Sequence, residues 1–186
     1  MSPPPGTKPP STYNCRYIVF QDGYAYVSSY AGPVNIDPTA RLGYVAKVDT
    51  ATMQIVDTCT VGYQPEEMVI AGNKLYVANS GGYRVPNYDR TVSGHRPDDL
   101  NRNKKDRRGL NLHRLELDRY GNIYVSSRGD YYDTPSKTYV IDSRTDEVTD
   151  ILHLLPNSNM TLAATRSMST APNGAGTRNS SPPRTR

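Results

Sequence analysis

The chain has no tryptophan, a single phenylalanine and only two cysteines, Cys15 and Cys59. Two cysteines define neither a disulfide framework nor a metal-ligand spacing, so they are expected to stand as unpaired thiols. No run of 18 apolar residues occurs, which excludes a spanning helix. The Pro-rich start, Met1 to Pro10, lacks the apolar stretch of a signal peptide, so no export signal is legible. No segment holds a helical period. Against these absences stand 15 tyrosines, the residue that combines a sheet-forming ring with a polar tip.

The net charge of +4 invites a nucleic-acid reading, but its placement argues against one. Residues 94–108 carry six Lys/Arg against three Asp, and residues 163–186 carry four Arg and no acid. The remainder of the chain is mildly acidic. No nucleic-acid partner is therefore expected, although a basic-patch binder is one alternative.

The tyrosines are ordered by a repeat. Asp22-Gly-Tyr-Ala-Tyr-Val-Ser-Ser29, Gly72-Asn-Lys-Leu-Tyr-Val-Ala-Asn79 and Tyr120-Gly-Asn-Ile-Tyr-Val-Ser-Ser127 each read as a turn followed by a strand. Shorter strands precede them at 16–21, 67–71 and 114–118. Further strands follow at 44–49 with 54–60, and at 138–142 with 147–152. Four short strands per repeat make the blade of a propeller. The expected class is all-β, with about three four-stranded antiparallel blades of an incomplete β-propeller at 16–61, 62–109 and 110–156. Residues 1–14 are expected to form a disordered Pro-rich segment, 94–108 an irregular stretch inside the 15–162 propeller, and 163–186 a disordered basic tail.

The two basic stretches interrupt the repeat in a particular way. Gly94-His-Arg-Pro-Asp-Asp99 can be encoded GGT CAT CGA CCT GAC GAC, and one base over the same string spells Val-Ile-Asp-Leu-Thr. That restores the Val-Ile-Asp strand ending that the repeat calls for, as at Val140-Ile141-Asp142, with its Asp at position 96. Leu162 to Gly174 can likewise be encoded so that a displaced frame spells Gly-Asp-Ser-Leu-Tyr-Val-Tyr, the opening of a next blade. Both stretches are expected to be frameshifted translations. A natural basic loop and tail are the plainer alternative.

With the repeat laid out, the chain resembles the YncE-like, surface-layer-type seven-bladed β-propellers of Gram-negative envelopes. The resemblance rests on Tyr44-Val-Ala-Lys-Val-Asp-Thr-Ala-Thr52, Val61-Gly-Tyr-Gln-Pro-Glu-Glu-Met68, Leu75-Tyr-Val-Ala-Asn-Ser-Gly-Gly82 and Leu110-Asn-Leu-His-Arg-Leu115. It implies a parent at the cell surface or in the periplasm that binds a small-molecule ligand or an envelope protein. Some members capture cobalamin. Three blades of seven would leave two apolar faces open, so the chain alone is expected to associate.

In a propeller, the loops after the second and fourth strands of each blade share one face. Here that face collects the candidate ligand-binding residues: Tyr30, Tyr63, Glu66, Tyr83, Asn87, Tyr88, His113, Arg114, Arg128, Tyr131 and Tyr132. Tyr26, Tyr76 and Tyr124 lie within strands and are expected to pack between blades. Glu66 and Glu67 are adjacent in a strand and point opposite ways, which argues against a paired-carboxylate active site. His95 and His153 are too scattered to join His113 on a metal, and Asp37, Asp130 and Asp133 lack calcium spacing. No Ser-His-Asp or Cys-His set is legible. The expectation is a binding protein without catalysis or cofactor. A propeller enzyme of lactonase or lyase type is the alternative.

Overall fold

A computed structural model describes residues 13–31, 41–81, 91–95, 104–107, 109–130, 132–153, 159–163 and 166–170. Their ordered elements are all strands. The first blade contains β1 (Tyr13–Gln21), β2 (Tyr24–Ala31), β3 (Arg41–Asp49) and β4 (Gln54–Thr60). The second contains β5 (Pro65–Ala71), β6 (Lys74–Asn79), β7 (Thr91–His95) and β8 (Lys104–Arg107). The third contains β9 (Leu112–Leu117), β10 (Asn122–Ser127), β11 (Lys137–Asp142) and β12 (Glu147–Leu152). A two-stranded sheet follows, β13 (Asn159–Ala163) and β14 (Arg166–Thr170). Each blade is an antiparallel meander in sequence order. No helix among the described residues is long and apolar enough to cross a membrane.

The turns follow local chemistry. Asp22 and Gly23 both take positive φ, 50° and 79°, the type I′ geometry whose twist matches a hairpin. In the first and third blades the Asp that closes the third strand accepts from the turn behind it. Asp49 Oδ1 accepts from the backbone N–H groups of Ala51 and Thr52, each at 2.9 Å, and Asp142 Oδ1 from Arg144 N at 2.8 Å.

Strand alternation divides the residues between the two faces of each blade. Tyr26, Val45 and Cys59 of the first blade pack on Met68, Leu75 and Val77 of the second. Ala71, Tyr76 and Ala78, on the opposite face of the second blade, pack on Leu112, Leu115, Ile123, Val125 and Ile141 of the third. Tyr26 and Tyr76 are thus buried between blades, as expected, and Tyr124 is half-buried. Both cysteines are free: Cys15 is exposed, and burial pushes the Cys59 thiol up to about 12, which leaves it un-ionised and inert.

Three boundaries need correction. Tyr13 and Asn14, assigned to the Pro-rich segment, belong to β1, because Asn14 pairs with Tyr30 and Tyr13 with Ala31. The stretch 94–108, expected to be irregular, contributes Gly94 and His95 to β7 and Lys104–Arg107 to β8. The tail expected to be disordered from 163 contributes Ala163 to β13 and Arg166–Thr170 to β14. In each case a partner strand supplies main-chain donors and acceptors that any residue except proline can answer, so neighbouring backbone overrides weak propensity. The rest of the Pro-rich segment, 96–103 and 171–186 lie outside the described residues.

Candidate functional site

The inner strands β1, β5 and β9 pack side by side, and a line of polar side chains crosses them. Glu66 and Glu67 stand at its centre and turn to opposite blades, at an irregularity in the β5–β6 pairing between Pro65 and Met68. Glu66 turns to the first blade. Arg16 donates to its Oε2 from Nε at 3.2 Å and from Nη2 at 3.1 Å, and the Tyr30 hydroxyl donates to its Oε1. The Arg16 guanidinium lies 5.1 Å from the Tyr30 ring centroid. Glu67 turns to the third blade, where it pairs with Arg114 and accepts from Leu115 N at 3.0 Å.

The loop behind this line is fixed by the small polar residues of the Tyr-Val-Ser-Ser motif. Ser127 Oγ donates to Leu110 O at 2.6 Å, and at the matching place in the second blade Asn79 Oδ1 accepts from Gly62 N at 2.9 Å. Gln64 and Asn111 occupy equivalent loop positions, and both take positive φ, 49° and 54°. The backbone of Arg128 is held on this loop, donating from N to Asn111 O at 3.1 Å. Gly129 follows with φ 69°, and a Cβ there would stand 1.9 Å from Thr134 O, so only glycine fits. Asp130 Oδ1 closes the turn by accepting from Tyr132 N at 3.0 Å and Thr134 N at 2.8 Å.

Arg128 is thereby brought to His113, with Nη2 3.0 Å from Nε2. A guanidinium can only donate, so Nε2 is the acceptor and the imidazole is neutral with its proton on Nδ1. The electrostatics agree: burial, then Arg128, Arg114 and Arg16, pull the His113 pKa down to about 3. An unfolded His113 takes a proton near pH 6.5, whereas the folded one refuses it until about pH 3. Stability is therefore lost as pH falls through that window. The difference in unfolding free energy between wild type and His113→Gln should change steadily between pH 6.5 and 4, in the direction that penalises the wild type under acid. Parallel curves would show that His113 protonates freely in the folded state.

The candidate residues fall into three groups. Glu66, His113, Arg114 and Arg128 lie on the polar line, and Tyr30 lies there too, but only 5% exposed and occupied with Glu66. Tyr63 is half-buried on the blade-to-blade loop, and Tyr132 stands 92% exposed beyond Asp130. Tyr83, Asn87, Tyr88 and Tyr131 lie outside the described residues. Sequence reasoning missed Arg16 and the part played by Glu67. The available signal was a cation near the head of the inner strand in the first and third blades, with two carboxylates in the blade between. No group of three His, Cys, Asp or Glu able to hold a metal occurs among the described residues.

No protein-family model matches the chain, and no curated protein matches it. Among solved structures it is similar to the β-propeller domain of the Trilobed protease from Pyrococcus furiosus, described as having an open velcro topology. The TM-score is 0.55 at 10% identity, over 82% of this chain and 46% of that one. The chain thus spans about half the length of the propeller chain it matches. A likeness at that identity speaks for architecture alone, and with the successive four-stranded antiparallel sheets it establishes a β-propeller fold.

Proposed function

We propose that the chain is part of a non-catalytic binding propeller of the cell envelope, and that its ligand presents an anionic group to Arg128 beside His113. One observation carries this reading. Three arginines act together on His113, and two of them, Arg16 and Arg114, are already matched by Glu66 and Glu67. The third, Arg128, has a neutral imidazole as its side-chain partner among the described residues. A cation held by its backbone on a stiff loop and matched, among the described residues, by a neutral ring favours an incoming carboxylate or phosphate, which a guanidinium grips in bidentate fashion. Stiff loops also lose little entropy on binding.

The resemblance to YncE-like envelope propellers supplies the first ligand to try. Cobalamin carries a phosphodiester, an anion of the required kind, on a large planar body suited to exposed tyrosines such as Tyr132. Isothermal titration with cyanocobalamin, with inorganic phosphate as the small-anion control, tests the reading. Arg128→Ala should weaken binding roughly 30-fold, as expected when an arginine anchor worth about 2 kcal/mol is lost. The melting temperature should move by no more than a few degrees. Equal affinity of wild type and Arg128→Ala for every anionic ligand that binds would place the site elsewhere.

A further inference from the structure

Each inner strand is irregular at the same place. Pairing passes from Cys15 with Ser29 to Tyr17 with Ser28 in the first blade, from Pro65 with Asn79 to Met68 with Val77 in the second, and from Leu112 with Ser127 to Leu115 with Val125 in the third. The residues set aside are Arg16, then Glu66 and Glu67, then His113 and Arg114. An irregularity of this kind re-aims side chains. Here it gathers ionisable groups onto one line. All but one of them are matched, Arg16 with Glu66 and Arg114 with Glu67. The exception is His113, which meets Arg128 and bonds no carboxylate among the described residues.

The charged and titratable groups around His113 are accounted for element by element. On β5, Glu66 receives Arg16 and the Tyr30 hydroxyl, and Glu67 holds Arg114 and Leu115 N. Tyr17 of β1 and Glu116 of β9 both lie toward Glu67 and Arg114. On β6, Lys74 and Tyr76 are both bonded to Asp146, and on β10 the Tyr124 hydroxyl bonds Asp118. The described strand β13, which also packs on β9, holds no ionisable residue over Asn159–Ala163. Beside Arg128, Asp130 turns to Tyr132 N and Thr134 N. His113 is therefore a half-buried imidazole set among Arg16, Arg114 and Arg128, and the acids within reach are already engaged.

We infer that an anion entering at Arg128 brings a proton with it, and that the proton settles on Nε2 of His113. The inference rests on the anion site proposed above. Without an anion, Arg128 Nη2 donates to Nε2, which is the acceptor. With one, a proton from water occupies Nε2 and makes that atom a donor. The Arg128 N–H turns from the ring to the anion, so guanidinium and imidazolium grip one group together. The anion then gives His113 the negative partner that Arg16 and Arg114 already have. Coupling of this kind is reciprocal: an anion that favours the proton is itself bound more tightly as pH falls. A doubly charged tetrahedral group, a sulfate or a phosphate monoester, gains most, because it meets two cations.

Sulfate is the probe, because it keeps its charge from about pH 7.5 to about 5.5, where an ordinary imidazole titrates. The full chain has three histidines, and His113→Gln identifies the His113 signal in the imidazole NMR spectrum. Without sulfate that signal should hold its neutral position across the interval. With saturating sulfate it should move toward the imidazolium position as pH falls. Isothermal titration should show wild-type affinity for sulfate rising roughly fivefold over the same interval, and that of His113→Gln by less than about twofold. Sulfate binding that Arg128→Ala abolishes, with a His113 signal that never moves, would keep the anion site and overturn the proton linkage. An equal rise in affinity in His113→Gln would assign the proton to another group and overturn it too. No sulfate binding at either pH would overturn both the linkage and the anion site.

Discussion

Gly94→Val/His95→Ile should stabilise the protein by about 2–3 kcal/mol. The reason lies in register. Position 95 on β7 stands opposite Leu75, as Ile141 stands opposite Ile123 in the third blade, and Ile141 is 2% exposed against the blade before it. Position 94 stands opposite Tyr76, the place of Val140 opposite Tyr124. The two sites thus want an apolar β-branched pair, and the chain has a glycine and a histidine. Burying an isoleucine contributes about 2 kcal/mol, and replacing a strand glycine adds roughly 0.5–1 kcal/mol. For a chain of this size that is a rise of roughly 5–10 °C in melting temperature. An unchanged or lowered melting temperature would show that 94 and 95 do not occupy the Val140 and Ile141 positions.

The same register bears on the gene. The displaced frame spells Val-Ile-Asp over positions 94–96, and the structure independently sets 94 and 95 where the third blade has Val140 and Ile141. Codons at 94–108 that spell Val-Ile-Asp one base over would therefore mark an ancestral strand overwritten by a shift of frame. Codons that cannot do so would leave the basic stretch as native sequence that the sheet accommodates.

How much of this was legible beforehand depended on how local each signal is. The strands β3, β4, β11 and β12 are legible because alternating apolar residues end at an aspartate that makes its own turn, as Asp49 and Asp142 do. Glu66 and Glu67 do face opposite blades, although the pairing of β5 with β6 is irregular between Pro65 and Met68, so simple alternation is not what secures it. Tyr30 reads as the first residue of the loop that continues through Ala31-Gly-Pro33, yet β2 runs on to Ala31, since Tyr13 and Asn14 extend β1 beside it. That lengthening depends on pairing across the hairpin rather than on local propensity. Partners such as Lys74 and Asp146 are harder still. Lys74 Nζ bonds Asp146 at 2.9 Å and Tyr76 OH bonds it at 2.5 Å, across about 70 residues, and only blade stacking brings them together.

Glu67→Ala should cost about 3 kcal/mol. Glu67 is 6% exposed and performs two tasks for the third blade: it pairs with Arg114, and it satisfies the backbone N–H of Leu115, itself only 2% exposed. Truncation strands that N–H, a loss of about 1–3 kcal/mol. It also leaves Arg114 without its carboxylate, with Nε already buried and without a partner among the described residues. The Arg114 side chain is 33% exposed, so water recovers part of that loss and the total falls at the lower end of the 3–5 kcal/mol expected for breaking a buried pair. Glu67→Gln keeps an acceptor for Leu115 while removing the charge, and should cost about 1–2 kcal/mol. Urea unfolding measures both. Hydrogen exchange should locate the damage, with protection falling first along β9, where the second and third blades meet. If the two variants were equally costly, the Leu115 bond would contribute nothing. If Glu67→Ala stayed within about 0.5 kcal/mol of wild type, the ordinary range for an exposed surface position, the clamp between these blades would be apolar packing alone.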